Sequence, residues 1–190
     1  MVRRIELLVL LGVFCGFLMV PTASFAEKKS ALKDAEGMTY YTAVNIWFED
    51  PKEIPSTNYH KGVILPINSQ VTINSVRKNT ITFTDENKIP YTIQIVRKHT
   101  PIPNEEIFKR YFSEAKVDLG KFSDEERKNI LTGTIAVGMS KDAVIAAYGY
   151  PPPHVTPSLE GNLWKYWESR FGNFTVMFNK DGKVLHVLDK

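Results

Sequence analysis

The sequence predicts an α+β protein, with an all-β barrel of short strands first and a unit of two helices and a three-stranded antiparallel meander second. Three observations carry this expectation. Residues 40–97 are rich in Val, Ile, Thr, Tyr and Phe, broken at short intervals by turn residues. Residues 123–149 hold two helix-start signals with apolar side chains at helical spacing. In residues 163–188 apolar positions alternate around the hairpin signal Asp181-Gly182.

The all-β unit, taken as residues 39–99, is expected to hold strands at 40–47, 62–65, 70–76, 80–84 and 91–96. Val71, Ile73 and Val76, then Tyr91, Ile93 and Ile95, supply its buried face. The stretch Glu49 to His60 is a long polar excursion, while Asn79 and residues 85–88 make tighter turns. One long loop followed by short hairpins resembles an SH3-like barrel. Trp47, Tyr59 and His60 would line a groove beside that loop, against the plainer reading of a surface loop.

Thr100-Pro101-Ile102-Pro103 marks a boundary, because proline donates no ladder hydrogen bond. Residues 100–122 then read as linker and helix. Asn104 is its expected cap, Glu105 and Glu106 face the positive end of its dipole, and Ile107, Phe108, Tyr111, Phe112 and Ala115 form its apolar face between the two units. Ser123 and Glu126 form a capping box for the next helix, which ends before Gly133. That role also accounts for Asp124 and Glu125 without a catalytic carboxylate pair. Ser140 opens a further helix with Asp142 in its first turn and Ala143, Val144 and Ala147 inward, stopped by Gly149 and Pro151. Strands are expected at 163–169, 174–179 and 183–188.

The chain's ends and charge bound the function. Arg3 and Arg4 precede an apolar run from Leu7 to Val20, then Pro21 and the small-residue stretch Ala23-Ser24-Phe25-Ala26. This reads as an export signal over residues 1–26, the run being shorter than the roughly 20 residues of a membrane span. Cleavage there would remove Cys15, the only cysteine, and with it any disulfide or thiolate chemistry. Phe14 stands where a lipid-attachment motif wants a small residue. Residues 27–38 read as a polar, flexible lead-in.

With 24 Lys+Arg against 21 Asp+Glu, a net charge of +3 and no basic cluster, nucleic acid is not an expected partner. The four histidines His60, His99, His154 and His186 lack metal-ligand spacing, and His154, beside three prolines, reads as a solvated loop residue. No nucleophile elbow, phosphate loop or dinucleotide fingerprint occurs, so neither a cofactor nor a catalytic residue is assigned.

Residues 123–188 carry a motif series: Ile135-x-x-Gly138-Met139-Ser140, Val144, Gly149-x-Pro151, Trp164-x-Tyr166, Phe174-x-Val176-x-Phe178 and Asp181-Gly182-Lys183-Val184. In order and spacing it resembles the outer-membrane assembly lipoprotein domain family called small protein A, or BamE-like. The resemblance implies two helices packed on a three-stranded antiparallel sheet, a periplasmic setting and an accessory, non-enzymatic role with an envelope or outer-membrane protein as partner. The chain departs from the family in lacking the lipid-attachment motif and in carrying the extra β unit. Within the motif Gly138, Gly149, Pro151 and Gly182 are structural, and strand alternation sends one of Trp164 and Trp167 into the core and leaves the other for a partner. A secreted hydrolase inhibitor or cell-wall-binding protein is the alternative, with direct lipid contact open.

Overall fold

Period-2 alternation buries Val71 and Ile73, Ile81 and Phe83, and Tyr91 and Ile93 along three successive strands, and these side chains start the first core. The structure, a computed structural model, describes residues 32–189; the export signal expected over residues 1–26, with Cys15, lies outside them. In chain order the strands and helices are β1 (Thr39–Thr42), β2 (Ile46–Phe48), β3 (Ile54–Pro55), β4 (Val63–Leu65), β5 (Gln70–Val76), β6 (Thr80–Asp85), β7 (Pro90–Gln94), α1 (Asn104–Tyr111), β8 (Phe112–Ser113), α2 (Asp124–Thr132), α3 (Lys141–Tyr148), β9 (Leu163–Trp167), β10 (Asn173–Phe178) and β11 (Val184–Asp189). A 3₁₀ turn, Leu119–Lys121, precedes α2.

The protein is a mixed α+β fold with a curled six-stranded sheet, a three-stranded antiparallel sheet and helices. The six strands run in the order β3-β7-β6-β5-β1-β8, all antiparallel except the β3–β7 pair. The second sheet has the order β11-β10-β9, and β2 and β4 form a separate two-stranded ribbon.

Several local expectations are corrected. The strand expected at 40–47 is two strands in different sheets, because the chain leaves the first sheet at Ala43 to insert Asn45 toward the end of α3. The described part of the lead-in is packed. Ala35 is buried in the first core, Gly37 donates to Ile73 O, and the Glu36 carboxylate accepts from Val76 N and Arg77. Pro103, not Asn104, is the N-cap of α1. The Asn104 side chain instead accepts from Arg97 and donates to Arg77 O.

α1 also ends before Ala115. Phe112 turns extended and, with Ser113, pairs with β1, which seats its ring 5.0 Å from Phe83 and 5.1 Å from Phe108 in the β core. Burying that ring outweighs one more helical turn. The segment expected to be a linker thus supplies an edge strand of the first sheet. At the last hairpin, Gly182 has the positive φ expected, but Asn179 N bonds Lys183 O and Gly182 N bonds Asn179 O, so the loop has three residues rather than two.

The second core gathers Ile130, Met139, Val144, Trp164, Tyr166, Phe174, Val176, Phe178 and Val184. Its entry points depend on one carboxylate. Glu126 closes the capping box on Ser123 N, and its other oxygen accepts from Ser140 N at 2.8 Å and Lys183 Nζ at 3.2 Å. One side chain therefore serves the N-termini of α2 and α3 and the β10–β11 hairpin. Burial alone would raise its pKa, but the amides of Ser140 and Ser123 and the Lys183 cation pull it down to about 2.

Glu126→Ala is expected to cost about 3 kcal/mol in urea unfolding, since three elements lose a charged acceptor. Because the folded pKa lies below the ordinary 4.5, this stabilisation is complete above that pH and disappears as the pH falls toward 2. In Glu126→Gln that part of the acid dependence should be absent.

Candidate functional site

An α-helix leaves its last four carbonyls without intrahelical donors. At α3 those of Ile145, Ala146, Ala147 and Tyr148 are all taken. Gly149 N donates to Ile145 O, Asn45 N to Ala146 O at 3.1 Å, and Asn45 Nδ2 to Ala147 O at 3.0 Å. Tyr148 O accepts from both Asn58 Nδ2 at 2.8 Å and His60 Nε2 at 2.7 Å. Asn45 further donates to Ile130 O at the end of α2 and accepts from Ile67 N. Polar side chains of the first half thus cap the helices of the second, and the two cores meet along this seam.

Glycines make room for it. Gly149 has φ +76°, ψ −177°, a conformation only glycine adopts readily, and a Cβ there would lie 2.6 Å from Asn58 Nδ2. Gly133, in the left-handed region at the end of α2, would place a Cβ 2.6 Å from the Trp47 ring and 2.5 Å from Ile64.

His60 sits buried at the centre of the seam. Its ring stacks on Tyr148 with centroids 3.6 Å apart and meets Trp47 and Tyr166 edge-on. Both ring nitrogens face carbonyls, Nε2 that of Tyr148 at 2.7 Å and Nδ1 that of Trp167 at 3.3 Å. A neutral imidazole has one N–H, and the shorter contact assigns it to Nε2. Burial lowers the pKa to about 4, although the two carbonyls act in the opposite direction.

The excursion 49–60 is therefore not a plain surface loop: Ser56, Thr57, Asn58 and His60 are buried. Three expected contact residues are consumed as well. His60 is a seam residue, Trp47 packs over Gly133 and Tyr148, and Trp164 is fully buried, with its indole N–H donating to Leu159 O. The motif positions Gly138, Met139, Ser140, Val144, Tyr166 and Phe178 serve the second core and its turns. Gly149 and Pro151 belong to the seam, and Asp181 and Gly182 to the last hairpin.

Tyr59 and Trp167 remain, and the seam brings them together. They line a cleft of about 390 Å³ with Thr57, Lys98, His99, His154 and Arg170. The imidazoles of His99 and His154 stack at 4.4 Å, and His154 lies nearly parallel to Trp167 at 6.3 Å. His154, although exposed, is held: its Nδ1 donates to His99 O at 3.1 Å, which leaves Nε2 as the free ring nitrogen. His99 Nδ1 lies 3.4 Å from Thr57 Oγ1, and burial, then His154 and Lys98, keep its pKa below the ordinary value.

No carboxylate lines the cleft, and among the described residues neither Lys98 nor Arg170 enters an ion pair. Among the described residues the indole nitrogens of both Trp47 and Trp167 are buried without a hydrogen-bond partner, which costs about 1–3 kcal/mol each. Lys98, His99 and Arg170 carried no signal in the sequence. They come from separate segments, and only the docking of 56–60 against β9 and the 151–156 loop makes them neighbours.

A larger groove of about 510 Å³ is lined by Leu32, Tyr40, Phe108 and Phe112 together with Glu105, Lys109, Ser113 and Glu114. Among the described residues no cluster of three His, Cys, Asp or Glu could hold a metal, and no helix is long and apolar enough to cross a membrane. No family model, curated protein or solved structure matches the chain.

Asn45→Ala leaves the carbonyls of Ile130 and Ala147 and the Ile67 amide without their partner, so a loss of about 3 kcal/mol is expected in denaturant titration. His60 generates a pH dependence of known sign. Its folded pKa of about 4 lies below the ordinary 6.5, so the unfolded chain binds the proton first; stability is complete above 6.5 and declines as the pH falls through 4. Titrating the unfolding midpoint between those values should show the slope in the wild type and its loss in His60→Gln.

Proposed function

We propose that this protein is an exported, non-enzymatic interaction module of the bacterial cell envelope, an SH3-like barrel joined to a BamE-like α+β module. In this reading it is accessory to outer-membrane protein assembly or envelope maintenance and grips an envelope protein in the seam cleft. The observation that carries the reading is the convergence of Tyr59 and Trp167, with Lys98, His99, His154 and Arg170, on one open cleft. Aromatic and cationic side chains of this kind are the groups that concentrate binding energy at protein interfaces. The export signal and the C-terminal motif series supply the setting.

A second reading, a cell-wall-binding protein, is favoured by one feature of the same cleft, the unpaired Lys98 and Arg170, which would suit an anionic wall polymer. The two readings separate in living cells of the source organism. A photo-crosslinking side chain at position 59 or 167 is expected to capture an outer-membrane or periplasmic protein that the same group at the exposed Glu86 turn does not capture. Adducts with wall fragments alone would favour the second reading, and equal capture from all three positions would remove the cleft from either.

A further inference from the structure

The cleft's charge is one-sided. Among the described residues five basic side chains meet acids: Arg77 pairs with Glu36, Arg110 with Glu106, Lys121 with Asp142, Arg127 with Asp124 and Lys183 with Glu126. At the cleft, Lys98 from the end of the first unit and Arg170 from the β9–β10 turn flank two stacked imidazoles with no carboxylate among the lining residues. Every titratable group on the cleft wall is thus a cation, an imidazole or a phenol.

His154 spends Nδ1 on the His99 carbonyl, which leaves Nε2 as its free ring nitrogen. A ligand that matches Lys98 and Arg170 brings negative charge at more than one point.

The indole geometry then distinguishes a peptide from a sugar. Pyranose rings bind on an open aromatic face, yet the Trp167 ring already has Lys165 Nζ at 5.7 Å from its centroid and the His154 ring stacked at 6.3 Å. With both neighbours this close, the indole is not an open stacking platform. Tyr59 remains as a half-buried apolar wall for a single side chain.

We infer that the cleft receives an acidic peptide segment of its partner, with carboxylates set against Lys98 and Arg170 and an apolar side chain set against Tyr59. This rests on the cleft being the partner site, as proposed above, and adds the chemistry of what enters it.

The test uses the chain lacking its export segment and three labelled probes, acetyl-Gly-Glu-Phe-Glu-Gly-amide and its counterparts with Gln or Lys in place of Glu, followed by fluorescence anisotropy. The acidic probe is expected to bind about tenfold more tightly than the Gln probe, and added salt should erase the difference at about 0.5 M. Lys98→Glu combined with Arg170→Glu, two exposed positions, should keep the far-UV circular dichroism and reverse the preference toward the Lys probe. Equal binding of the three probes by the wild type, or unchanged preference in the double variant, overturns the inference. So does polygalacturonate binding in the cleft while the acidic peptide does not. If crosslinking at position 59 captures an envelope protein while the acidic probe fails, the partner site stands and its acidic specificity falls; if the probe binds but no envelope protein is captured, the proposed role falls instead.

Discussion

Helix α3 ends inside the protein, where its last carbonyls cannot turn to water, and the surrounding architecture is arranged to supply their donors. Asn45, Asn58 and His60 come from segments far from α3 in sequence, and each reaches the same helix end. Meeting that requirement breaks the first long strand into β1 and β2, draws the 49–60 excursion inward, and fixes a glycine at position 149, where a Cβ would strike the Asn58 amide. The two cores are therefore held together by polar bonds that are costly to leave unmade, as well as by apolar burial.

The opposite ends of the helices follow the complementary rule. The N-termini of α2 and α3 present free amides, and Glu126 answers both with one carboxylate that Lys183 balances. Donors gathered at one end of α3 and an acceptor at the other fix its axis, and with it the position of the 151–156 loop that follows. His154 is placed opposite His99 by that loop, so the cleft's geometry derives from the way a helix is terminated.

This arrangement also separates structural from available aromatic residues. Trp47, His60 and Trp164 are spent on packing, whereas Tyr59 and Trp167, their immediate or near neighbours in sequence, face the cleft. In extended backbone adjacent side chains point to opposite sides, and for Tyr59 and His60 this puts one in the seam and the other on its outer wall. The proposed envelope role and the acidic specificity both depend on that division.

Much of the local structure was legible in the residues themselves. The strands expected at 70–76, 80–84 and 91–96 and found at 70–76, 80–85 and 90–94, the Ser123–Glu126 capping box, the stops at Gly133 and Gly149 and the alternation of Phe174, Val176 and Phe178 follow from short-range rules of periodicity, capping and positive φ. The binding candidates were legible only in part, since Tyr59 and Trp167 stood out as aromatic residues but nothing marked Lys98, His99 or Arg170. Tertiary structure decided that Phe112 leaves its helix for a strand, that His60 is a buried cap rather than a loop residue, and that four separate segments meet in one cleft. The physical reason is common to all three. Which carbonyl needs a donor and which ring fills a core are settled by groups distant along the chain, and a sequence states its own periodicities but not the unmet needs of the elements that will pack beside them.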